Sequence, residues 1–249
     1  MSRGTADSLA ARPVVLLDAG GTLVGLDWDR VRALLAPLGL RPADEALVAA
    51  EARARVWADA AVRERLGLRG LWDGYFARLL ADVGVPAERT AELAQRLWAM
   101  HTQRGLWNRP IDGALDAVRR LAAAGRRLAV VSNAEGQIEH DLQACGFGPY
   151  LETVVDSEIV GVAKPDPRIF AIALERLAAR PEQAVYVGDV PSYDVAGARA
   201  AGIEPILVDP LDLHGDAGCA RIRSIAELPA LLGADGPVTG PGAPARPAR

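Results

Sequence analysis

The chain has 249 residues, half of them apolar, with 28 basic and 32 acidic side chains, a net charge of −4 and a pI of 5.5. This length and apolar content suffice for a real core and exclude collagen, coiled coil and wholesale disorder. No apolar run approaches the roughly 20 residues that a membrane span needs, so no membrane partner is expected. The acidic balance also argues against a nucleic-acid partner, because backbone binding requires clustered positive charge. Short basic clusters such as Arg126-Arg127 read as solvated faces. Cys145 and Cys219 are too few and too far apart for a disulfide framework, and Arg12 and Asp18 interrupt any secretory apolar stretch. Two reduced thiols in a cytoplasmic protein are the expectation.

Residues 1–12 are small and polar without periodicity and are expected to be flexible. Val14-Val15-Leu16-Leu17 is a continuous apolar run, as in a strand buried on both faces of a parallel sheet. It stops at Asp18-Ala19-Gly20-Gly21-Thr22, where the paired glycines imply a tight turn with exposed amides. From Asp27 to Trp107 the texture is helical. Apolar residues recur at helical spacing (Val31, Leu34, Leu35, Leu38; Leu71, Tyr75, Leu79; Leu93, Leu97), which predicts four or five helices. All five tryptophans, Trp28, Trp57, Trp72, Trp98 and Trp107, fall in this stretch and read as its own core, with pocket lining or a dimer contact as alternatives.

After Pro110 strands and helices alternate. Asp112 is expected to cap a helix carrying Leu115, Val118 and Leu121. Strands follow at Leu128–Val131, near Thr153–Val155, at Ala184–Val187 and at Ile206–Val208. Helices are expected from Gln137 to Ala144, from Pro167 to about Ala178, from Asp194 to Ala201 and from Ile225 to Leu232. This alternation means βαβ units in an α/β fold, a Rossmann-like parallel sheet sandwiched by helices. Residues 234–249 are rich in Gly, Pro and Ala and are expected to be flexible.

Ligands of such sheets bind outside the carboxyl ends of the strands. Asp18, Ser132-Asn133 and Gly188-Asp189 each follow a predicted strand, while Lys164-Pro165-Asp166-Pro167 lies in a loop and Asp194 stands just beyond Asp189. Each alone reads as a turn, a cap or a solvated group. The ordered set, Asp-x-x-Gly-Thr-Leu (Asp18 to Leu23), Ser-Asn, Lys-Pro-Asp-Pro and Gly-Asp-x-x-x-x-Asp (Gly188 to Asp194), resembles the haloacid dehalogenase-like hydrolase superfamily from Pro13 to Gly233. The helical stretch after the first motif resembles that superfamily's C1 cap. The resemblance implies a core of residues 13–26 and 108–233 and a cap of 27–107, hinged at Val24 to Leu26 and Gly105 to Pro110.

It further implies a phosphatase in which Asp18 is the nucleophile and forms an aspartyl-phosphate, with Lys164 neutralising both Asp18 and the phosphate. Thr22, Ser132, Asn133 and Lys164 would bind phosphate. Asp18, the Gly20 carbonyl, Asp189 and Asp194 would hold Mg²⁺, with Asp194 either a ligand or a partner behind the ligands. Acids and a phosphate crowd together only when cations offset their charge. The substrate would be a small phosphorylated molecule, and the protein a monomer or homodimer.

One position departs from the superfamily pattern. Its phosphatases carry a second Asp two residues after the nucleophile, which protonates the leaving oxygen and then activates water; here that residue is Gly20. General acid–base catalysis is worth about 10²–10⁴-fold, so a slow enzyme is expected unless another acid, such as Asp27, Asp29 or His101, serves. The alternatives are a metal-independent 2-haloacid dehalogenase and a non-catalytic binding protein. Asp189 and Asp194 favour the metal-dependent phosphatase, because dehalogenases of the superfamily lack that acidic motif.

Overall fold

The structure is a computed structural model and describes residues 8–64 and 68–234. In chain order its elements are β1 (Val14–Leu17), β2 (Val24–Leu26), α1 (Trp28–Leu35), α2 (Asp44–Arg63), α3 (Leu68–Asp82), α4 (Ala87–Arg104), β3 (Trp107–Pro110) and α5 (Ala114–Ala123). There follow β4 (Arg127–Ser132), α6 (Ile138–Ala144), β5 (Leu151–Asp156), α7 (Ser157–Val160), α8 (Pro167–Arg176), β6 (Ala184–Gly188), α9 (Ala196–Ala200), β7 (Glu204–Val208), β8 (Ala220–Ile222) and α10 (Leu228–Leu231). The chain divides into two compact units. One contains the described residues up to Gly25, Asn108–Asp209 and those from Asp216 on; the other contains Leu26–Trp107 and the loop Pro210–Gly215.

The first unit is built on a six-stranded sheet in the order β5-β4-β1-β6-β7-β8, parallel at every pairing. Parallel strands need crossover helices, which cover the faces and leave the central strands no contact with water. The four residues of β1 and the five of β6 are accordingly all buried. On one face Val14, Leu16, Ala129, Val131 and Tyr186 pack against Ile169, Phe170, Ala173 and Leu174 of α8. Each large apolar side chain buried there contributes about 1.5–3 kcal/mol. Asp166 caps α8 by accepting the Arg168 N–H at 3.0 Å, with Pro167 in the first turn.

Three local expectations are corrected. Asp112 does not cap α5: the cap position is Gly113, at φ 78°, with no side-chain bond, and Ala114, Ala117, Val118 and Leu121 form the buried face. The expected helix from Asp194 begins instead as a wider π turn over Pro191–Val195 before α9. Ser8 to Arg12, expected to be loose, are held in place. Leu9 is buried, and the Arg126 guanidinium donates to the carbonyls of Ala10 (2.6 Å), Arg12 (2.6 Å) and Leu232 (2.8 Å). One guanidinium thereby satisfies carbonyls of both chain ends, a role that no periodicity encodes. Ala234 is likewise buried, its N–H donating to the Pro229 carbonyl. The remaining terminal residues, 1–7 and 235–249, lie outside the described ones.

Among the described residues of the second unit four α-helices enclose a core of Trp28, Val31, Leu35, Leu47, Phe76, Leu79, Leu93 and Leu97 among others. Trp57, Trp72, Trp98 and Trp107 are partly buried against this core. Trp72 lies 5.3 Å from Trp107 and 5.7 Å from Trp98, ring centre to ring centre. The two ends of the unit are fastened together. The Asp27 N–H donates to the Leu106 carbonyl at 2.8 Å, and Arg30 donates to the carbonyls of Gly105 (2.7 Å) and Met100 (3.2 Å). The loop Pro210–Gly215, expected in the core, groups with this unit. Among the described residues no helix is long and apolar enough to cross a membrane.

Candidate active site at the carboxyl edge of the sheet

Leu17, the last residue of β1, is in register with Val130 of β4 and Val187 of β6. That register brings Asp18, Ser132 and Gly188-Asp189 to one edge of the sheet. The Asp18 N–H donates to the Val187 carbonyl at 2.8 Å, which continues the ladder one residue past the strand. The chain then turns sharply. The N–H groups of Leu23 and Val24 both donate to the Ala19 carbonyl, at 2.8 and 3.0 Å, and Gly21 takes a φ of 74° open to residues without a Cβ.

Carboxylate oxygens of Asp18, Asp189 and Asp194 lie within 4.8 Å of one another, and all three residues are buried. Lys164 stands among them. Its Nζ is 2.8 Å from Asp18 Oδ1, and it donates at 2.7 Å to Asp194 Oδ1 and at 2.9 Å to the Tyr186 hydroxyl. An ammonium has three N–H donors, and all three are placed. Lys164 is the only lysine among the 28 basic side chains. The choice has a geometric reason. A planar guanidinium fork cannot direct donors at three oxygens surrounding one point, whereas a compact ammonium can.

Burial alone would lower the Lys164 pKa, but the charges of Asp18 and Asp194 outweigh it and hold the ammonium above the ordinary lysine value. Burial raises the Asp18 carboxyl against the opposing pull of Lys164, and the neighbouring Asp194 charge adds to the rise.

Asp194 is fully engaged. Its Oδ1 accepts from Lys164 and lies 3.1 Å from the Tyr186 hydroxyl; its Oδ2 accepts the N–H groups of Asp189 (2.9 Å) and Val190 (2.8 Å). It thus holds the lysine and the loop that carries Asp189. Asn133 also acts on Lys164: its side-chain amide donates to the Lys164 carbonyl at 3.0 Å and accepts the Lys164 N–H at 2.7 Å. Ser132 is buried at the end of β4, and the Thr22 hydroxyl is buried without a hydrogen-bond partner among the described residues. Gly20 lies in the turn and bridges to Val24.

Two contributors escape motif reading. Tyr186 is fully buried in β6; its hydroxyl accepts from Lys164 and lies 3.0 Å from the Val131 carbonyl. The available signal was a lone polar tip in the apolar run Ala184–Val187, since buried tyrosines require a hydrogen-bond partner. Asp156, buried at the end of β5, accepts the N–H groups of Gly136 and Glu158, each at 2.9 Å, and so shapes the loop after Asn133. It repeats the pattern of an apolar strand followed by Asp that singled out Asp18.

The substitute acids have local duties within the helical unit. Asp27 caps α1, accepting the Arg30 N–H at 3.1 Å. Asp29 pairs with Arg32 at 3.2 Å. His101 accepts the Leu106 N–H on Nδ1 at 3.2 Å, and its ring centre lies 5.0 Å from that of Trp107.

The model of the haloacid dehalogenase-like hydrolases matches residues 13–202. The chain is 34% identical over 148 residues to the mouse "Haloacid dehalogenase-like hydrolase domain-containing protein 3", covering 58% of this chain and spanning 59% of that protein's length. It is 32% identical over 224 residues to a "Phosphoserine phosphatase" of Thermus thermophilus, covering 79% of this chain and 88% of the relative. Among solved structures, the HAD-hydrolase YfnB of Bacillus subtilis, determined bound to magnesium, shares the fold at a TM-score of 0.64 and 22% identity, over 89% of this chain and 98% of that one.

Proposed function

The chain belongs to the haloacid dehalogenase-like hydrolase family, and from that premise we propose that it is a Mg²⁺-dependent phosphatase of a small phosphorylated molecule, working through a phosphoryl-aspartate on Asp18. The observation that carries this reading is the Asp18 carboxylate held by a buried ammonium 2.8 Å away at the ligand-binding edge of a parallel sheet. A relative named for phosphatase activity adds support.

Asp18 Oδ1 accepts both the Ala19 N–H and a Lys164 N–H, so Oδ2 is the oxygen assigned to attack at phosphorus. Attack forms the Oδ2–P bond and breaks the P–O bond to the leaving group; water then cleaves the acyl phosphate. Lys164, kept charged by its neighbours, offsets charge on the transferring oxygens. Ser132 and Thr22 supply hydroxyl donors to those oxygens, and the unpartnered Thr22 hydroxyl fits such a duty. Asn133 orients Lys164 through the backbone and offers its own N–H to phosphate.

The donor set suits a hard cation: clustered carboxylate oxygens without a soft ligand. Asp18, Asp189 and the Gly20 carbonyl would hold Mg²⁺, which when bound neutralises negative charge on the phosphoryl group. Asp194 was expected as a ligand or a partner behind the ligands. Its four hydrogen-bonded contacts favour the second role. The helical unit is read as the cap and the sheet unit as the catalytic core. The two free cysteines fit a reducing, cytoplasmic setting.

The test is hydrolysis of an aryl phosphate with Mg²⁺ by wild type and by Asp18→Asn, together with thermal melts over a Mg²⁺ titration. Activity lost in Asp18→Asn, and a Mg²⁺-dependent rise in melting temperature that shrinks in Asp189→Asn, support the reading. Unchanged activity in Asp18→Asn overturns it. Halide release from a 2-haloacid without added metal moves the chain to the dehalogenases.

A further inference from the structure

Resting on that reading, we infer that the described residues of the sheet unit bring no proton donor to the leaving group, so the chain takes phosphates whose leaving group departs as an anion (aryl, acyl or anhydride phosphates) and the phosphoryl group lingers on Asp18.

The basis is an inventory of protons at the site. The three Lys164 N–H groups are committed to Asp18, Asp194 and Tyr186, which leaves none aimed at a leaving oxygen. The single Tyr186 proton faces the Val131 carbonyl or Asp194. Asp194 accepts from the Lys164 ammonium and from the Asp189 and Val190 N–H groups, so both of its oxygens are occupied as acceptors. Asp18 and Asp189 are the nucleophile and its companion ligand. Gly20, two residues past the nucleophile, has no side chain.

The backbone does not demand that glycine. Gly21 occupies the left-handed region at φ 74°, whereas Gly20 does not, so a side chain at position 20 costs no backbone strain of that kind. Its absence is therefore chemical in effect. In the first step Asp18 bonds to phosphorus and the leaving oxygen departs with the electron pair; unprotonated, it leaves well only when weakly basic. In the second step water attacks phosphorus, the acyl oxygen of Asp18 leaves, and the proton of the water passes to solvent. Both steps forgo a side-chain acid–base partner, which is worth about 10²–10⁴-fold. An acyl phosphate needs no acid for its own departure, but it needs water activated, so the phosphorylated protein accumulates when the first step is fast.

The experiment is a series of aryl phosphates of rising leaving-group pKa, an alkyl phosphate and acetyl phosphate, assayed with Mg²⁺ for wild type, Gly20→Asp and Asp18→Asn. Acid-quenched protein is weighed by mass spectrometry. Expected for wild type is a kcat/KM that falls at least about 10²-fold from the best aryl to the alkyl phosphate, a product burst, and one phosphoryl group on the quenched protein. In Gly20→Asp the alkyl rate rises and the trapped phosphoryl group disappears. Asp18-dependent turnover that is indifferent to the leaving group, with no trapped phosphoryl group, overturns the inference and leaves the phosphatase reading standing. Hydrolysis that survives Asp18→Asn, or none with any phosphate, overturns the phosphatase reading itself. The wild-type series alone decides the inference if Gly20→Asp does not fold.

Discussion

Gly188 lacks a side chain because the Asp194 carboxyl occupies the space of one: a Cβ at Gly188 would lie 2.3 Å from Asp194 Cγ. The glycine at the end of β6 is a packing requirement of the acid six residues later. Gly188→Ala pushes that carboxylate off Lys164 and off the N–H groups of Asp189 and Val190. Overpacking of this kind costs about 1–3 kcal/mol. The expected outcome is a lower urea midpoint with unchanged m-value, together with a loss of kcat/KM larger than the stability loss explains.

Lys164 tolerates neither of its conventional replacements. Lys164→Met leaves two carboxylates buried without their cation, and breaking a buried pair in this way costs about 3–5 kcal/mol. Lys164→Arg keeps the charge but cannot place donors on Asp18, Asp194 and Tyr186 together. Both variants are expected to be destabilised in urea and inactive on aryl phosphates. Lys164→Arg with wild-type activity would contradict the three-donor geometry.

The same lysine sets an alkaline limit. Its folded pKa is raised above the ordinary 10.5, so the folded state holds this proton more tightly than the unfolded chain does. The stabilisation is complete below about pH 10.5 and is lost as pH rises from there through the folded value. The slope approaches about 1.4 kcal/mol per pH unit between the two values. Urea midpoints from pH 9 upward are expected to show the stability gap between wild type and Lys164→Met narrowing above about pH 10.5. A gap that stays constant would refute the shift.

Tyr186→Phe removes one acceptor from Lys164 and leaves the Val131 carbonyl without the hydroxyl 3.0 Å away. A hydrogen bond lost in this way costs about 0.5–1.5 kcal/mol. The variant is expected to fold, to keep KM near wild type and to lose kcat, because Tyr186 positions Lys164 without meeting substrate. Equal loss of activity and of folded fraction would reduce the tyrosine to packing.

Asp27 is a cap by its geometry. Asp27→Ala removes the acceptor of the Arg30 N–H and is expected to cost about 1 kcal/mol. Its dependence on leaving-group pKa should match that of wild type; a selective loss on the alkyl phosphate would make Asp27 the acid instead.

Much of the sheet unit was legible because burial writes itself into composition. A strand covered on both faces must be apolar throughout, so Val14–Leu17, Val130-Val131 and Ala184–Val187 announced themselves, and the polar residues just after them stood out by contrast. Asp18, Asn133 and Asp189 were singled out for that reason, whereas Lys164 and Asp194 were singled out only by the ordered set of motifs. Their division of labour was not legible. That Asp194 holds a lysine and a loop, that Asn133 grips the Lys164 backbone, and that Tyr186 completes the lysine's shell depend on contacts spanning 4 to 55 residues. The edge strand β8 and the anchoring of Leu9 by its surroundings were equally hidden, since short segments acquire structure from their neighbours and not from their own periodicity. Residue type and order thus settle which chemistry is available, because charge and hydrogen-bonding capacity belong to each side chain by itself. Which oxygen each proton faces is decided only by tertiary packing, because donors and acceptors distant in the chain meet only once the sheet has aligned the ends of its strands.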